Sequence, residues 1–310
     1  MMPSTKATLC LFAIAYATRL QSATPPWSKL VPVQTLEKCA QEALMVPDDN
    51  RYSVTPASNS TEMVGHTLLA QADAIYIMCM QKCSTMPLPR IWVSKVIMVN
   101  GRGSDSCLQP ERVMKQHPDE IPDPSLHAIA VTLSHLLAVA HAKAQGHAKI
   151  AMIEEDMQVA DDLTWSRGDV AQALTFVGSN SWQVLRLTVQ SFVYTSQGQT
   201  HTCPARCVCK EIPGVLIDHS AGRTLCEVDA NCHELHSTSM YMLSNGGKGT
   251  FDAVLNSMGM IDTLLINSLP QAVLGPPLFE EPAFHAAAKG DVGTMWRLYQ
   301  ERCFRKASNV

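Results

Sequence analysis

The sequence predicts an α/β protein in which a mostly parallel sheet is flanked by helices. Three observations predict it. Short, continuously apolar runs, chiefly Ala74–Met80 (AIYIMCM) and Ala148–Ile153, read as strands buried on both faces. Stretches with apolar residues at three- and four-residue spacing read as helices. The two kinds alternate along residues 74–189, as strands joined by crossover helices do. The 310 residues suffice for one large domain or two small ones, and 46% hydrophobic with 17% charged residues is a globular composition. A net charge of −4 and the lack of any long Lys/Arg cluster make nucleic acid an unexpected partner.

The chain opens with Lys6, the apolar stretch Ala7–Ala17, Arg19 and small residues at Ala15, Ala17 and Ala23. This pattern reads as a signal peptide over residues 1–23, with a buried N-terminal helix as the alternative. The apolar core is far shorter than the roughly 20 residues that span a bilayer, and no other segment approaches that length. No transmembrane span is therefore expected after signal removal. Asn59-Ser60-Thr61 is a glycosylation acceptor, and removal of Cys10 leaves ten of the eleven cysteines, an even number suited to disulfides. These features place the protein in the secretory pathway or outside the cell.

Residues 24–65 are rich in Pro, Ser, Thr and Asn and read as an irregular stem with one helical candidate, Thr35–Leu44. The ordered domain is expected over residues 66–280. Ala74–Met80 is its first strand and Lys95–Val99 its second, with a Pro-punctuated loop over Cys107–Pro124. A long helix follows, with Asp123 as N-cap, Pro124 at its first position, and Leu126, Ile129, Ala130, Leu133, Leu137, Ala140 and Ala144 on one apolar face. Gly146 suits the left-handed conformation that ends a helix. Strand Ala148–Ile153, helix Ser166–Val177 and strand Trp182–Val189 come next. From Gln197 to His236, five cysteines crowd a poorly periodic stretch, read as a Cys-rich loop insertion lying over the sheet. Strand Ser239–Leu243, helix Phe251–Met258 and strand Ala272–Leu274 complete the domain. Residues 281–310 read as a helical C-terminal cap, with two short helices between Glu281 and Arg305.

The chemistry-bearing feature is Glu154-Glu155-Asp156, three carboxylates following an apolar strand. Ligands of open α/β sheets bind beyond the carboxyl ends of strands. Alternation along an extended chain sends Glu154 and Asp156 to one side and Glu155 to the other. Two same-side oxygen donors suit a hard divalent cation; a solvated acidic loop is the bland reading. His135 also has two readings: a packed core histidine, or a ring that holds an acid of the trio in place. The Cys203/Cys207/Cys209 and Cys232/His233/His236 spacings do not match the usual paired zinc pattern. A glycoside hydrolase needs two carboxylates facing across a bond rather than three in a row.

Ser134-His135-Leu136, the helix ending at Gly146, the apolar strand and Ile153-Glu154-Glu155-Asp156 together resemble the lipopolysaccharide- and collagen-type glycosyltransferase family. Ala74–Met80, Trp182–Leu187, Ser239–Ser244 and Ile261-Asp262-Thr263-Leu264-Leu265 are similar to further family segments, in the same order, over residues 66–278. The resemblance implies a GT-A-like fold, a nucleotide-sugar donor such as a UDP-sugar, a glycan or protein hydroxyl as acceptor, and a divalent metal, commonly Mn2+. It implies Glu154 and Asp156 as metal ligands, with Glu155 on the donor side where the family has Asp. It implies Asp262 as acceptor-side base or structural cap. His236 is a candidate third ligand. Met80-Gln81-Lys82-Cys83-Ser84 stands where the family has a basic segment, so Lys82 and Arg90 are the candidates to meet the donor's phosphates. That departure leaves a catalytically degenerate sugar- or nucleotide-binding protein as the alternative.

Overall fold

The computed structural model describes residues 25–48, 50, 52–53, 60–79, 88–100, 108–117, 126–155, 157–159, 167–179, 181–187, 195–196, 199–200, 207–211, 224–228, 240–258, 269–275, 279–280 and 304–306. Helices α1 (Trp27–Leu30) and α2 (Val33–Ala43) come first, followed by β1 (Leu44–Met45) and β2 (Tyr52–Ser53). Helix α3 (Ser60–Leu69) leads into β3 (Ala74–Cys79), and β4 (Leu88–Pro89) and a 3-10 turn (Arg90–Trp92) precede β5 (Val96–Asn100). Then come α4 (Pro110–Gln116), α5 (Leu126–Ala144), β6 (Lys149–Glu154), β7 (Gln158–Val159), α6 (Arg167–Gly178) and β8 (Val184–Arg186). The short β9 (Thr195–Ser196) and β10 (Gln199–Thr200) form a hairpin, followed by β11 (Cys207–Glu211), β12 (Thr224–Val228) and β13 (Met240–Ser244). Helix α7 (Thr250–Leu255), β14 (Gln271–Gly275), β15 (Phe279–Glu280) and β16 (Phe304–Lys306) end the described chain.

Ten strands form one sheet in the order β1-β5-β3-β6-β13-β8-β14-β12-β11-β16. The run β5-β3-β6 is parallel, as are β8 and β14. Strand β13 is inserted antiparallel between β6 and β8, and β1 and β12 also run against their neighbours. The sheet is thus mixed rather than uniformly parallel.

Strand alternation divides the core into two layers. On one face Tyr76, Met78, Ile150, Met152, Tyr241 and Leu243 meet α1, α2, α5 and α7. On the other, Ile75, Ile77, Ala151, Ile153, Met240 and Met242 meet α3 and α6. Helix α5 is the central element of the first layer, and residues 132–140 are buried on every side. The sequence suggests one apolar face for this helix. It is enclosed all round because α2 covers its outer side, with Leu36, Cys39 and Ala40 in the same cluster as Leu133, Leu136 and Leu137.

Three expectations are corrected here. The helical candidate Thr35–Leu44 is realised as α2, but the described part of the stem is built into the core rather than an irregular lead-in: Trp27 and Leu36 are fully buried, and β1 pairs with the edge of β5. The Cys-rich stretch does not simply lie over the sheet, because its strands β11 and β12 extend it. At the C-terminus, Phe304–Lys306 is a strand parallel to β11 where a helix was expected to reach Arg305. The rest of that expected helical cap lies outside the described residues.

Local signals around α5 and β6 act as the sequence suggests. Gly146 is left-handed at φ 71°. Its N–H donates to Lys143 O at 3.1 Å, and His147 N–H donates back to Ala142 O at 3.0 Å, which closes the helix. Asp73 Oδ2 then accepts the N–H groups of Ala148 and Lys149 at 2.7 and 2.9 Å, fixing the entry to β6. The proposed caps Asp123 and Pro124 lie outside the described residues.

Candidate functional site

The carboxyl end of β6 carries Glu154 to the helix-covered face shared by α5. Register explains this: Met152 pairs with Tyr76 and Tyr241, and Glu154, two residues on and opposite Met78, returns to the same side. The backbone remains attached to β3 for one residue more, since Glu155 N–H donates to Met78 O at 3.2 Å. Met157 N–H then bonds to Glu154 O at 3.2 Å and turns the chain. Immediately beyond, β7 pairs antiparallel with β15, so residues 158–159 and 279–280 meet next to the acidic stretch. The Glu154 side chain is partly open, 26% exposed.

Behind Glu154 stands His135, which is fully buried. Its Nε2 lies 3.8 Å from Glu154 Oε1 and has no hydrogen-bond partner, while Nδ1 shares a 2.7 Å hydrogen bond with Tyr241 Oη. The imidazole stacks on the Tyr241 ring with centroids 5.6 Å apart and planes 9° from parallel. The ring is a buried core residue, and its Nε2 faces the acid across 3.8 Å.

Tyr241 pairs across the sheet with Arg186 of β8. Arg186 is also fully buried, and its Nε donates to Gln271 Oε1 of β14 at 2.5 Å. A strip of polar side chains therefore crosses the sheet beneath α5, from Glu154 through His135 and Tyr241 to Arg186 and Gln271. Sequence reasoning missed Tyr241, Arg186 and Gln271 as members of the site. One signal was present: Arg186 is a lone cation in the apolar run WQVLRLTV, and a buried guanidinium requires partners.

A second polar group lies on the same face. Tyr76 Oη and His141 Nδ1 share a 2.7 Å hydrogen bond, and the His141 and His147 rings are 6.3 Å apart. Burial raises the Tyr76 pKa. Burial, then the neighbouring His147, lowers that of His141. His147 is lowered by burial against an opposing pull from Asp73.

The other residues singled out in the sequence divide into two sets. Arg90 lies in the 3-10 turn leading to the amino end of β5, where Trp92 Nε1 donates to His66 O at 2.9 Å. Because β3, β5 and β6 are parallel, that is the end of the sheet away from Glu154, and the structure does not bring Arg90 to the acid. Asp156, Lys82, His236 and Asp262 lie outside the described residues. Among the described residues no group of three or more His, Cys, Asp or Glu side chains is placed to hold a metal. Glu154 is the one proposed metal ligand among them. Cys39 and Cys79 are both disulfide-bonded, and Cys79 ends β3 one residue beyond the Met78–Glu154 pair.

No family model matches the chain, and no curated protein matches it. Among the described residues no helix is long and apolar enough to cross a membrane.

Proposed function

We propose that the protein is a metal-dependent glycosyltransferase of the GT-A type, moving a sugar from a nucleotide-sugar donor, a UDP-sugar, to a hydroxyl of a protein or glycan. The observation that carries this reading is the partly open Glu154 carboxylate at the carboxyl end of an interior strand, faced by the buried His135 Nε2. Open α/β sheets bind ligands at that end. A carboxylate oxygen whose position is backed by a rigid buried group is also the kind of donor a hard cation takes. Glu154 and Asp156 would hold the metal, Mn2+, with His236 as third ligand. Bound there, the cation would supply positive charge to the diphosphate leaving group. Within the chain, Glu154 presents its oxygen, His135 holds that oxygen in place, and the Tyr241–Arg186–Gln271 strip keeps the floor of the site rigid. Asp262 is assigned to the acceptor side, as the base that takes the hydroxyl proton.

A binding protein without turnover is the second reading. It is favoured by the placement of Arg90, which leaves the donor's phosphates without that cation. The two are separated by measuring Mn2+-dependent UDP-sugar binding and hydrolysis on the intact protein, with Glu154→Gln and Asp156→Ala alongside. Binding with turnover that falls about 100-fold in Glu154→Gln is expected, the upper range for disturbing a metal site. Binding without turnover selects the second reading. No donor binding at any Mn2+ concentration sinks both.

A further inference from the structure

We infer that Tyr241 is a positioning residue: its hydroxyl donates to His135 Nδ1 and thereby locks the imidazole in the tautomer whose Nε2–H faces the Glu154 carboxylate. Its value to a metal or donor site rests on the function proposed above; the tautomer lock itself does not.

A neutral imidazole carries one proton, on either nitrogen, and the bond made by one nitrogen decides the role of the other. If Nδ1 held the proton it would donate to Tyr241, and Nε2 would turn a bare lone pair towards Glu154 Oε1, 3.8 Å away. That places an acceptor beside a carboxylate, in a pocket where Nε2 has no other hydrogen-bond partner. With the proton on Nε2, both contacts become favourable: Tyr241 Oη donates at 2.7 Å, and an N–H dipole points at the acid. The ring cannot rotate away from this choice. His135 and Tyr241 are both fully buried and stacked nearly parallel. The Nε2–H faces Glu154 Oε1 across 3.8 Å, an electrostatic contact with the acid.

The hydroxyl is therefore needed for more than packing. A phenylalanine at 241 would fill the same volume and preserve the stack, but it would leave Nδ1 without a donor. The two tautomers would then compete, and the N–H facing Glu154 would no longer be fixed.

Two-bond 1H–15N correlation spectra at pH 8, on intact protein labelled at histidine, read the tautomer directly, with His135→Gln identifying the signal. The wild-type spectrum is expected to show the proton on Nε2 and a bare Nδ1. Tyr241→Phe is expected to show mixed tautomers and to bind Mn2+ about 10-fold more weakly, the usual effect of removing a group that orients a ligand. A wild-type ring protonated on Nδ1, or a Tyr241→Phe spectrum unchanged from wild type, overturns the inference. The wild-type spectrum needs no variant, so a misfolded Tyr241→Phe would still leave the lock decided. A wild-type protein with the expected tautomer that binds neither Mn2+ nor UDP-sugar sinks the glycosyltransferase reading while the lock stands.

Discussion

His66 sits on α3 with its ring edge-on to Trp92, centroids 5.0 Å apart, and burial lowers its pKa to about 4. The unfolded chain binds this proton near pH 6.5, so the native state is the poorer proton acceptor between those values. Its contribution is fully present above pH 6.5 and is lost as pH falls from there towards 4. Partial solvent access reduces the effect, leaving about 1–2 kcal/mol. Urea midpoints at pH 7.5 and pH 4.5 are expected to differ less in His66→Phe, which keeps the aromatic contact but cannot titrate. An equal pH response in the variant would assign the effect elsewhere. His141 and His147, lowered by burial as well, act in the same direction. Arg186 gives a second test at this scale. Its removal as Arg186→Ala opens a cavity and strips Gln271 of a donor, for an expected loss of about 3 kcal/mol in urea unfolding.

At the scale of elements, the loop from α5 to β6 decides where Glu154 comes to rest. Gly146 takes φ 71° with nothing within 4 Å of the position a Cβ would occupy. Gly146→Ala therefore meets backbone strain alone, about 1 kcal/mol, visible as a lower melting temperature without loss of structure. Asp73→Ala leaves two backbone N–H groups without their acceptor and is expected to lower stability by about 1–2 kcal/mol. A Gly146→Ala protein as stable as wild type would contradict the left-handed cap. Lysines hold other helix ends by the same logic: Lys95 Nζ donates to Ala70 O and Ala72 O beyond α3, and Lys149 Nζ to Gly178 O of α6.

For the whole molecule, the segment before residue 66 determines whether the first core layer closes. Trp27, Leu36 and Ala40 are fully buried, and each large side chain contributes about 2–3 kcal/mol of apolar burial. A chain starting at His66 would expose the outer side of α5, the side opposite His135 that carries Leu133, Leu137 and Ala140. That truncation is expected to lack a cooperative melting transition by circular dichroism. A truncated protein that melts cooperatively would show the segment to be dispensable. Lys143–Asp252, a 2.6 Å ion pair between α5 and α7, is exposed and adds little beside this burial.

The sequence by itself determined the strands and helices that alternate apolar runs with spaced ones: β3, β5, β6, α5, α6, β8 and β13 lie close to where periodicity puts them. It also placed Glu154 at a strand end and on the face opposite Ile153, because side-chain alternation is local geometry. Tertiary structure decided what lies far apart in the chain. The reversal of β13 between two parallel strands depends on hydrogen bonding to β6 and β8, which no single segment encodes. The place of α2 over α5 was hidden by a polar, proline-rich composition in which only a few residues, Trp27 and Leu36 among them, carry the burial. Arg90 stands near the acids in the order of motifs but at the other end of the sheet in space. Tyr241, 106 residues from His135, meets it because strand register sets the Tyr241 side chain on the sheet face that α5 covers.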